Sequence, residues 1–233
     1  YMTLLISVVF VAAYFLFAGL QVLRQRTFWL QAVIALVLAA PFVFVALRPF
    51  IQLSAQGTID DRSIEYASLY SASPTDYFLP STDHFLFGRW VGEHFNRDLW
   101  PEVTLYTGAA GLVLAAVALV RRRQRRHPSL IAAGVLVILV AAVLSLGPYL
   151  KWDAERVIVQ LPGFLQNLTG KTGTSIYLPA YWLFHHLPFY AKMRALVRIG
   201  LFALVFIPVL AGIGAAGLLA RLPARRRWLA AAA

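Results

Sequence analysis

The sequence predicts an all-α membrane protein with about five transmembrane helices and two long extracytoplasmic loops that carry short interfacial helices. Of its 233 residues, 60% are hydrophobic and only 13% are charged, whereas a soluble domain has about 25% charged residues. Apolar runs of the roughly 20 residues needed to cross a bilayer recur along the chain. The short connecting segments carry arginines without acids, whereas the long ones carry charges of both signs. Because backbone groups in lipid must be satisfied internally, we expect these runs to be helices.

Five apolar runs define the order of the chain. The predicted spans lie near residues 4–23, 28–47, 103–120, 129–148 and 195–220. We therefore expect transmembrane helices one and two in 1–47, extracytoplasmic loop one in 48–102, helices three and four in 103–148, extracytoplasmic loop two with an interfacial segment in 149–194, and helix five with a basic cytoplasmic tail in 195–233.

Individual residues mark the ends of these elements. Pro41 predicts a kink in helix two, and Gly147-Pro148 predicts the end of helix four. The polar segment 59–73 could form a short amphipathic helix on the membrane. The segment 176–190 carries two prolines and two histidines in 15 residues, so it is too short and too broken to span.

The charge distribution predicts the orientation of the protein in the membrane. The net charge is +11, but eleven arginines without any acid lie in the short loops and the tail: Arg24, Arg26, Arg121, Arg122, Arg123, Arg125, Arg126, Arg221, Arg225, Arg226 and Arg227. The two long loops, together with the first turn of helix five, hold all ten carboxylates and the other ten cations. By the positive-inside rule, the protein is multi-pass in the inner (plasma) membrane with a cytoplasmic C-terminus, and its basic charge indicates lipid headgroups rather than nucleic acid.

Two apparent nucleotide motifs have simpler explanations. The glycines of Gly212 to Gly217 match GxGxxG, but they lie inside an apolar span instead of a βαβ unit, so a helix contact is the better interpretation. Gly170-Lys171-Thr172 lacks the preceding glycine of a phosphate-binding loop. There is no cysteine, which excludes a thiolate site or a disulfide framework. We expect no cofactor, although a divalent cation is compatible with the acid–histidine pairs described next.

The stretch from Ser71 to Glu102 contains the candidate catalytic residues. Carboxylates adjacent to histidine can act as general acids or bases or bind a divalent cation, and the candidates here are Asp76, Asp83 and His84. The alternative is that these are ordinary solvated loop residues. No metal ligand set can be assigned from this pattern, because adjacent residues seldom converge on one ion.

A basic pair precedes helix five. Arg194 and Arg198 would share one helix face and could bind the phosphate of a donor through fork-like hydrogen bonds, or they could simply contact lipid headgroups. We expect the outer loops to pack together over a polar pocket bordered by Asp76, Asp83, His84, Arg194 and Arg198, since the loop aromatics offer more apolar area than an open loop would leave in water. The alternative is that these charges form an internal salt-bridged lid without a binding pocket.

Several segments together resemble a known type of protein. They are SPTDYFLPSTDHFLFG, LYTGAAGLVLA, LSLGPYLKWD and LPAYWLFHHLPFYAKMRALVRIGLFALVFIPVLAGIG. Their order resembles the later half of large bacterial polytopic membrane proteins of the GT-C glycosyltransferase type, including the pyruvoyl-tetrahydropterin-synthase-related membrane proteins. The likeness covers most of residues 48–220.

The resemblance implies transfer of a sugar from a polyprenyl-phosphate donor on the outer face of the membrane. In proteins of this type the catalytic aspartate lies in an earlier outer loop, so we expect it outside this chain, with a missing N-terminal part as a partner. The alternative is a non-catalytic subunit or scaffold of a larger membrane complex, which would contact other transmembrane helices through Gly108, Gly111, Gly212 and Gly217.

Overall fold

The structure of the protein is a computed structural model. The residues described are 2–18, 24–57, 61–96, 103–120, 128–164, 166, 170, 172–187 and 190–220. Asp60, Asp98, Glu102, Lys171, the arginine loop 121–127 and the basic tail 221–233 lie outside these ranges, and so do the predictions made for them.

The described chain is mostly helical, as the sequence predicted. Its α-helices are α1 (Met2–Ala18), α2 (Arg26–Ala55), α3 (Ile64–Leu69), α4 (Gly88–His94), α5 (Ala109–Val120), α6 (Pro128–Ser145), α7 (Pro179–His186) and α8 (Leu201–Leu219). Three 3-10 helices lie at Pro74–Tyr77, Tyr190–Lys192 and Leu196–Gly200. The short strands are β1 (Lys151–Trp152), β2 (Glu155–Arg156), β3 (Ile158–Gln160) and β4 (Gly173–Ser175).

Four of the apolar helices form a bundle. Helix α8 packs against both α5 and α6, and α6 packs against α1 on its other side. Gly214 makes the closest approach, since a Cβ at this position would meet the carbonyl oxygen of Leu114 in α5. Small residues allow such contact between backbones, so part of the GxGxxG sequence is a helix contact. Gly212 and Gly217 have nothing within 4 Å of a Cβ position.

Helix α2 stands apart from this bundle. Its Phe28 meets Phe15 of α1 edge-on, with ring centroids 5.5 Å apart. Between Arg26 and Pro49, only Phe28 and Ala32 are even half buried. The helix also continues through Pro41 and Pro49, so it is longer than the predicted span. At about 1.5 Å per residue it is roughly 45 Å long, with an apolar surface that no other described element covers.

Two helical segments are long and apolar enough to cross a membrane: Arg26–Leu53, and Leu196–Leu219, which joins the last 3-10 helix to α8. The other apolar helices are shorter. Predicted helix three starts later than expected, because α5 begins at Ala109 rather than near Val103. The residues just before α5 contact the first loop instead of continuing the helix. The Leu105 amide donates to the Asp76 carbonyl at 3.0 Å, and the Leu105 side chain is buried.

The predicted second outer loop contains two small antiparallel sheets that the sequence did not predict. Strand β1 pairs with β2 around Asp153 and Ala154, and β3 pairs with β4. Asp153 and Ala154 have φ values of 49° and 68°, the pattern of a two-residue turn that matches strand twist. In the segment 176–190, α7 has eight residues, a length of about 12 Å, less than half of the roughly 30 Å hydrocarbon core.

The loops form a layer on one end of the bundle, where α6 ends and α8 begins. The Ala72 amide donates to the carbonyl of Ser145, the last residue of α6, at 2.8 Å. The Val197 amide donates to the Tyr70 carbonyl at 3.1 Å. Gly147 has a φ of +78°, and a Cβ there would collide with Ser71. Glycine after α6 therefore lets the first loop approach the helix end.

Candidate functional site

A polar cleft of about 370 Å³ opens in the loop layer. It lies between the residues around α3, the 3-10 helix Pro74–Tyr77 and the β1–β2 hairpin. Its polar lining residues are Glu65, Ser68, Ser71, Ser73, Asp76, Asn96, Lys151 and Arg156. The volume falls within the range of about 300–1,000 Å³ that is typical of small-molecule sites. Two carboxylates, two cations and several hydroxyls therefore converge on one concave surface.

Ser73 connects the parts of this cleft. Its amide donates to Asp76 Oδ2 at 2.7 Å, while its hydroxyl accepts from the Asp153 amide at 3.1 Å. The same hydroxyl accepts from Thr75 Oγ1 at 3.1 Å and donates to the Lys151 carbonyl at 3.3 Å. A serine followed three residues later by an acid is a capping box, which satisfies the free amides at a helix start. Asp76 is therefore both a buried helix cap and a wall of the cleft.

Lys151 is a buried cation that lines the same cleft. Its Nζ donates to the Ser71 carbonyl at 2.7 Å and to the Leu69 carbonyl at 3.3 Å. These carbonyls lie at the end of α3, where a cation stabilises the helix. Burial lowers the pKa of Lys151 from 10.5 to about 8, although the negative charge of Asp76 opposes this shift. A proton on this amine is thus held less tightly than on a lysine in water.

The outer part of the cleft holds a second pair of charges. Arg156 on β2 and Glu65 on α3 are both exposed. The Arg156 guanidinium lies over the ring of Tyr149, with its carbon 3.9 Å from the ring centroid. At the rim, the Asn96 amide donates to both carboxylate oxygens of Asp153, at 3.0 and 3.1 Å. The hairpin is thereby tied to the end of α4.

Tyr77 anchors the floor of the loop layer to the bundle. Its hydroxyl lies 2.7 Å from Ser145 Oγ, and Ser145 Oγ donates its own hydrogen to the Ala142 carbonyl at 2.7 Å. The tyrosine must therefore be the donor between the two hydroxyls. Burial raises the pKa of Tyr77 to about 12, despite the lowering effect of the bond to Ser145. The neutral phenol is the form that the folded protein favours.

Of the predicted site residues, only Asp76 lines the cleft. Asp83 is exposed in the turn before α4, and His84 is half buried. His84 Nδ1 accepts from the amides of Leu86 and Phe87, each at 3.3 Å. The imidazole therefore serves as a cap for this turn, a role the sequence did not indicate.

Arg194 and Arg198 are exposed and do not line the cleft. Arg194 lies in a bend, and Arg198 lies in the 3-10 helix Leu196–Gly200. The expected α-helical pairing of these two residues is therefore absent. They remain at the end of the bundle that carries the loop layer, since their helix leads directly into α8.

The expected cover of aromatic side chains over the pocket does not form. Phe78, Phe85, Phe87 and Trp90 are 67%, 88%, 52% and 50% exposed. Of the aromatic residues expected to form this cover, only Tyr77 packs against the bundle. The reason is geometric: the Tyr77 hydroxyl bonds Ser145 at the end of α6, while Phe85 and Phe87 lie at the turn that His84 caps.

Within the described ranges, no three histidine or carboxylate side chains come together. Sequence reasoning also missed Lys151, Ser73, Glu65 and Arg156. Lys151 was visible only as a lone cation in the apolar sequence LSLGPYLKWD. Its partners are backbone carbonyls some 80 residues away, and no side-chain pattern encodes such a contact.

No match was found when the chain was compared with protein-family models, with curated proteins and with solved structures.

Proposed function

We propose that this chain is part of a GT-C-like glycosyltransferase of the inner membrane, and that its polar cleft binds the sugar of a polyprenyl-phosphate-linked substrate on the outer face. The observation that carries the proposal is the cleft itself, which combines Asp76, Lys151 and Arg156 with three serines. It lies on the end of a bundle of apolar helices. A lipid-linked sugar would present its polar part at that level.

The charge balance of the cleft favours a sugar over a phosphate alone. Sugar hydroxyls both donate and accept hydrogen bonds, so a site with carboxylates, cations and hydroxyls satisfies them. A phosphate would be repelled by Glu65 and Asp76. Arg194 and Arg198 offer planar donors suited to phosphate oxygens, and we assign the donor phosphate to them. The catalytic aspartate is expected outside this chain, with Asp76, Asp83 and His84 as the alternatives within it.

The membrane part of the proposal rests on exposed apolar helices. The segment Arg26–Leu53 of α2 is apolar enough to cross a membrane, and its most apolar part has no buried residue. In water such a surface would aggregate, whereas lipid satisfies it. With the basic connections inside, the loop layer faces outward and the C-terminus is cytoplasmic. Single cysteines at Ser81 and Gln124 should then react with an impermeant maleimide from opposite sides of the membrane; reaction from one side would contradict this orientation.

A binding experiment tests the function. The chain in nanodiscs should bind polyprenyl-phosphate sugar more tightly than polyprenyl phosphate. Arg156→Gln should weaken binding of the sugar-linked lipid alone, while the double variant Arg194→Gln, Arg198→Gln should weaken binding of both. Arg89→Gln is the matched control, because Arg89 pairs with Glu93 on the surface of α4, away from the cleft. Equal binding of both lipids by every variant would remove the proposal.

A scaffold function is the second candidate, and a specific observation favours it. A Cβ at Gly212 on α8 would have nothing within 4 Å, so another helix could approach this position closely. Gly212→Leu should then abolish association with a partner membrane subunit without changing lipid binding. Loss of lipid binding with association intact would instead favour the enzyme.

A further inference from the structure

An apolar surface before and within α4 is not explained by the cleft. Phe85, Leu86 and Phe87 are consecutive and 88%, 66% and 52% exposed, and Trp90 is 50% exposed. These four residues are called the aromatic surface below. Three consecutive exposed apolar side chains are unfavourable in water and usually have a function.

The aromatic surface is held in a defined shape. The His84 ring stacks on Phe85 and Phe87, with centroids 5.3 and 5.6 Å apart, while its Nδ1 accepts two amides of the same turn. At Gly88, a Cβ would collide with the Thr82 carbonyl oxygen. The rings are therefore displayed by a closely packed turn.

Hydrogen bonds hold the chain on both sides of this surface. Tyr77, eight residues before Phe85, bonds the last residue of α6. At the other side, Asn96 is bonded to Asp153 at the cleft rim. Between them α4 has seven residues, a length of about 10 Å. The segment that carries the aromatic surface is thus tied on one side to the end of the bundle and on the other to the β1–β2 hairpin.

Its chemistry fits the boundary between headgroups and acyl chains. The charged side chains of α4, Arg89 and Glu93, pair with each other at 2.9 Å, so the helix offers little net charge to attract a charged partner. Trp90 stacks on His94, with centroids 5.2 Å apart. An apolar ring beside a polar one is the composition that favours the interfacial belt of membrane proteins.

We propose that the aromatic surface inserts into the outer-leaflet interface of the same bilayer that the helices span, and so holds the cleft at the lipid surface. The inference rests on the membrane part of the proposed function, but it does not depend on glycosyl transfer. In this arrangement, α4 and the turn before it contact lipid and do not cover the cleft.

Single-cysteine labelling tests this insertion, because the chain has no cysteine of its own. A nitroxide would be attached at Leu86→Cys in the full chain in phosphatidylcholine nanodiscs. Its spin relaxation would be measured with oxygen, which concentrates in lipid, and with a water-soluble nickel complex. Glu155→Cys, exposed on the hairpin, is the polar control, and Leu36→Cys, 69% exposed on α2, is the lipid control.

We expect the Leu86 label to be relaxed more by oxygen than by nickel, like the Leu36 label, and the Glu155 label to show the reverse. Nickel-dominated relaxation at Leu86 with oxygen-dominated relaxation at Leu36 would overturn the insertion and leave the membrane proposal standing. Nickel-dominated relaxation at both sites would overturn both. Spectral broadening at Leu86 that disappears on dilution with unlabelled protein would instead identify a second copy as the occupant and overturn the insertion.

Discussion

The Tyr77 hydroxyl donates a 2.7 Å hydrogen bond to Ser145 Oγ, the side chain of the last residue of α6. This bond joins the cleft to the bundle, because Tyr77 directly follows Asp76 in the 3-10 helix that forms one cleft wall. A shift at the end of α6 would therefore move a charged residue of the candidate site. Substitutions of single residues can test this connection.

Tyr77→Phe should lower the free energy of unfolding by about 0.5–1.5 kcal/mol, the usual net value of one hydrogen bond. The ring remains, and Ser145 keeps its bond to Ala142, so the packing of the loop layer should persist. Chemical unfolding in detergent micelles measures the change. Tyr177→Phe, at a 54% exposed tyrosine, is the control and should have little effect. An equal loss in both variants would show that the Ser145 bond contributes nothing.

Lys151 should make stability depend on pH between about 8 and 10.5, its folded and unfolded pKa values. In this range the unfolded chain binds more protons than the folded one, so the free energy of unfolding should rise with pH. The shift corresponds to about 3 kcal/mol across the window. Lys151→Met should lose this rise, whereas Lys192→Met should retain it. Unfolding curves of the three proteins at several pH values provide the test, and parallel profiles would contradict the assignment.

Two substitutions at Asp76 should separate its role as a helix cap from the effect of its charge on Lys151. Asp76→Ala removes the acceptor of the Ser73 amide and should cost about 0.5–1.5 kcal/mol. Asp76→Asn keeps an acceptor but removes the charge that raises the pKa of Lys151. The asparagine variant should therefore be more stable than the alanine variant, and its rise in stability should begin at a lower pH than in the parent. If the rise begins at the same pH in both, Asp76 does not act on Lys151.

Gly214→Ala should destabilise the bundle by about 1–3 kcal/mol, because the added methyl group meets the backbone of α5 and no side chain can move aside. Gly212→Ala and Gly217→Ala, which have open space around the new Cβ, should be neutral or stabilising by up to about 1 kcal/mol through helix propensity. Thermal unfolding in the same detergent compares the three. Equal effects at all three positions would contradict the α5–α8 contact.

Some site features were predictable because they depend on local sequence. Asp76 was identified from its crowded polar stretch, and the serine three residues before it is a recognisable capping pattern. The cleft was not predictable, because Lys151 reaches Leu69 and Ser71 across some 80 residues. Arg194 and Arg198 were predicted to act together on one helix face, but that inference assumed α-helical geometry where the chain has a bend and a 3-10 helix.

The sequence by itself determined the mostly helical class and the places of the apolar helices, because hydropathy acts over windows of about 20 residues and needs no partner. Tertiary structure alone decided where α5 begins, since the Leu105 amide bonds the Asp76 carbonyl instead of continuing a helix. It likewise decided that a Cβ at Gly214 would meet α5, while one at Gly212 or Gly217 would meet nothing within 4 Å. The physical reason is common to both: a backbone group or a glycine acquires its role from the segment that packs against it, and that segment is distant in the chain.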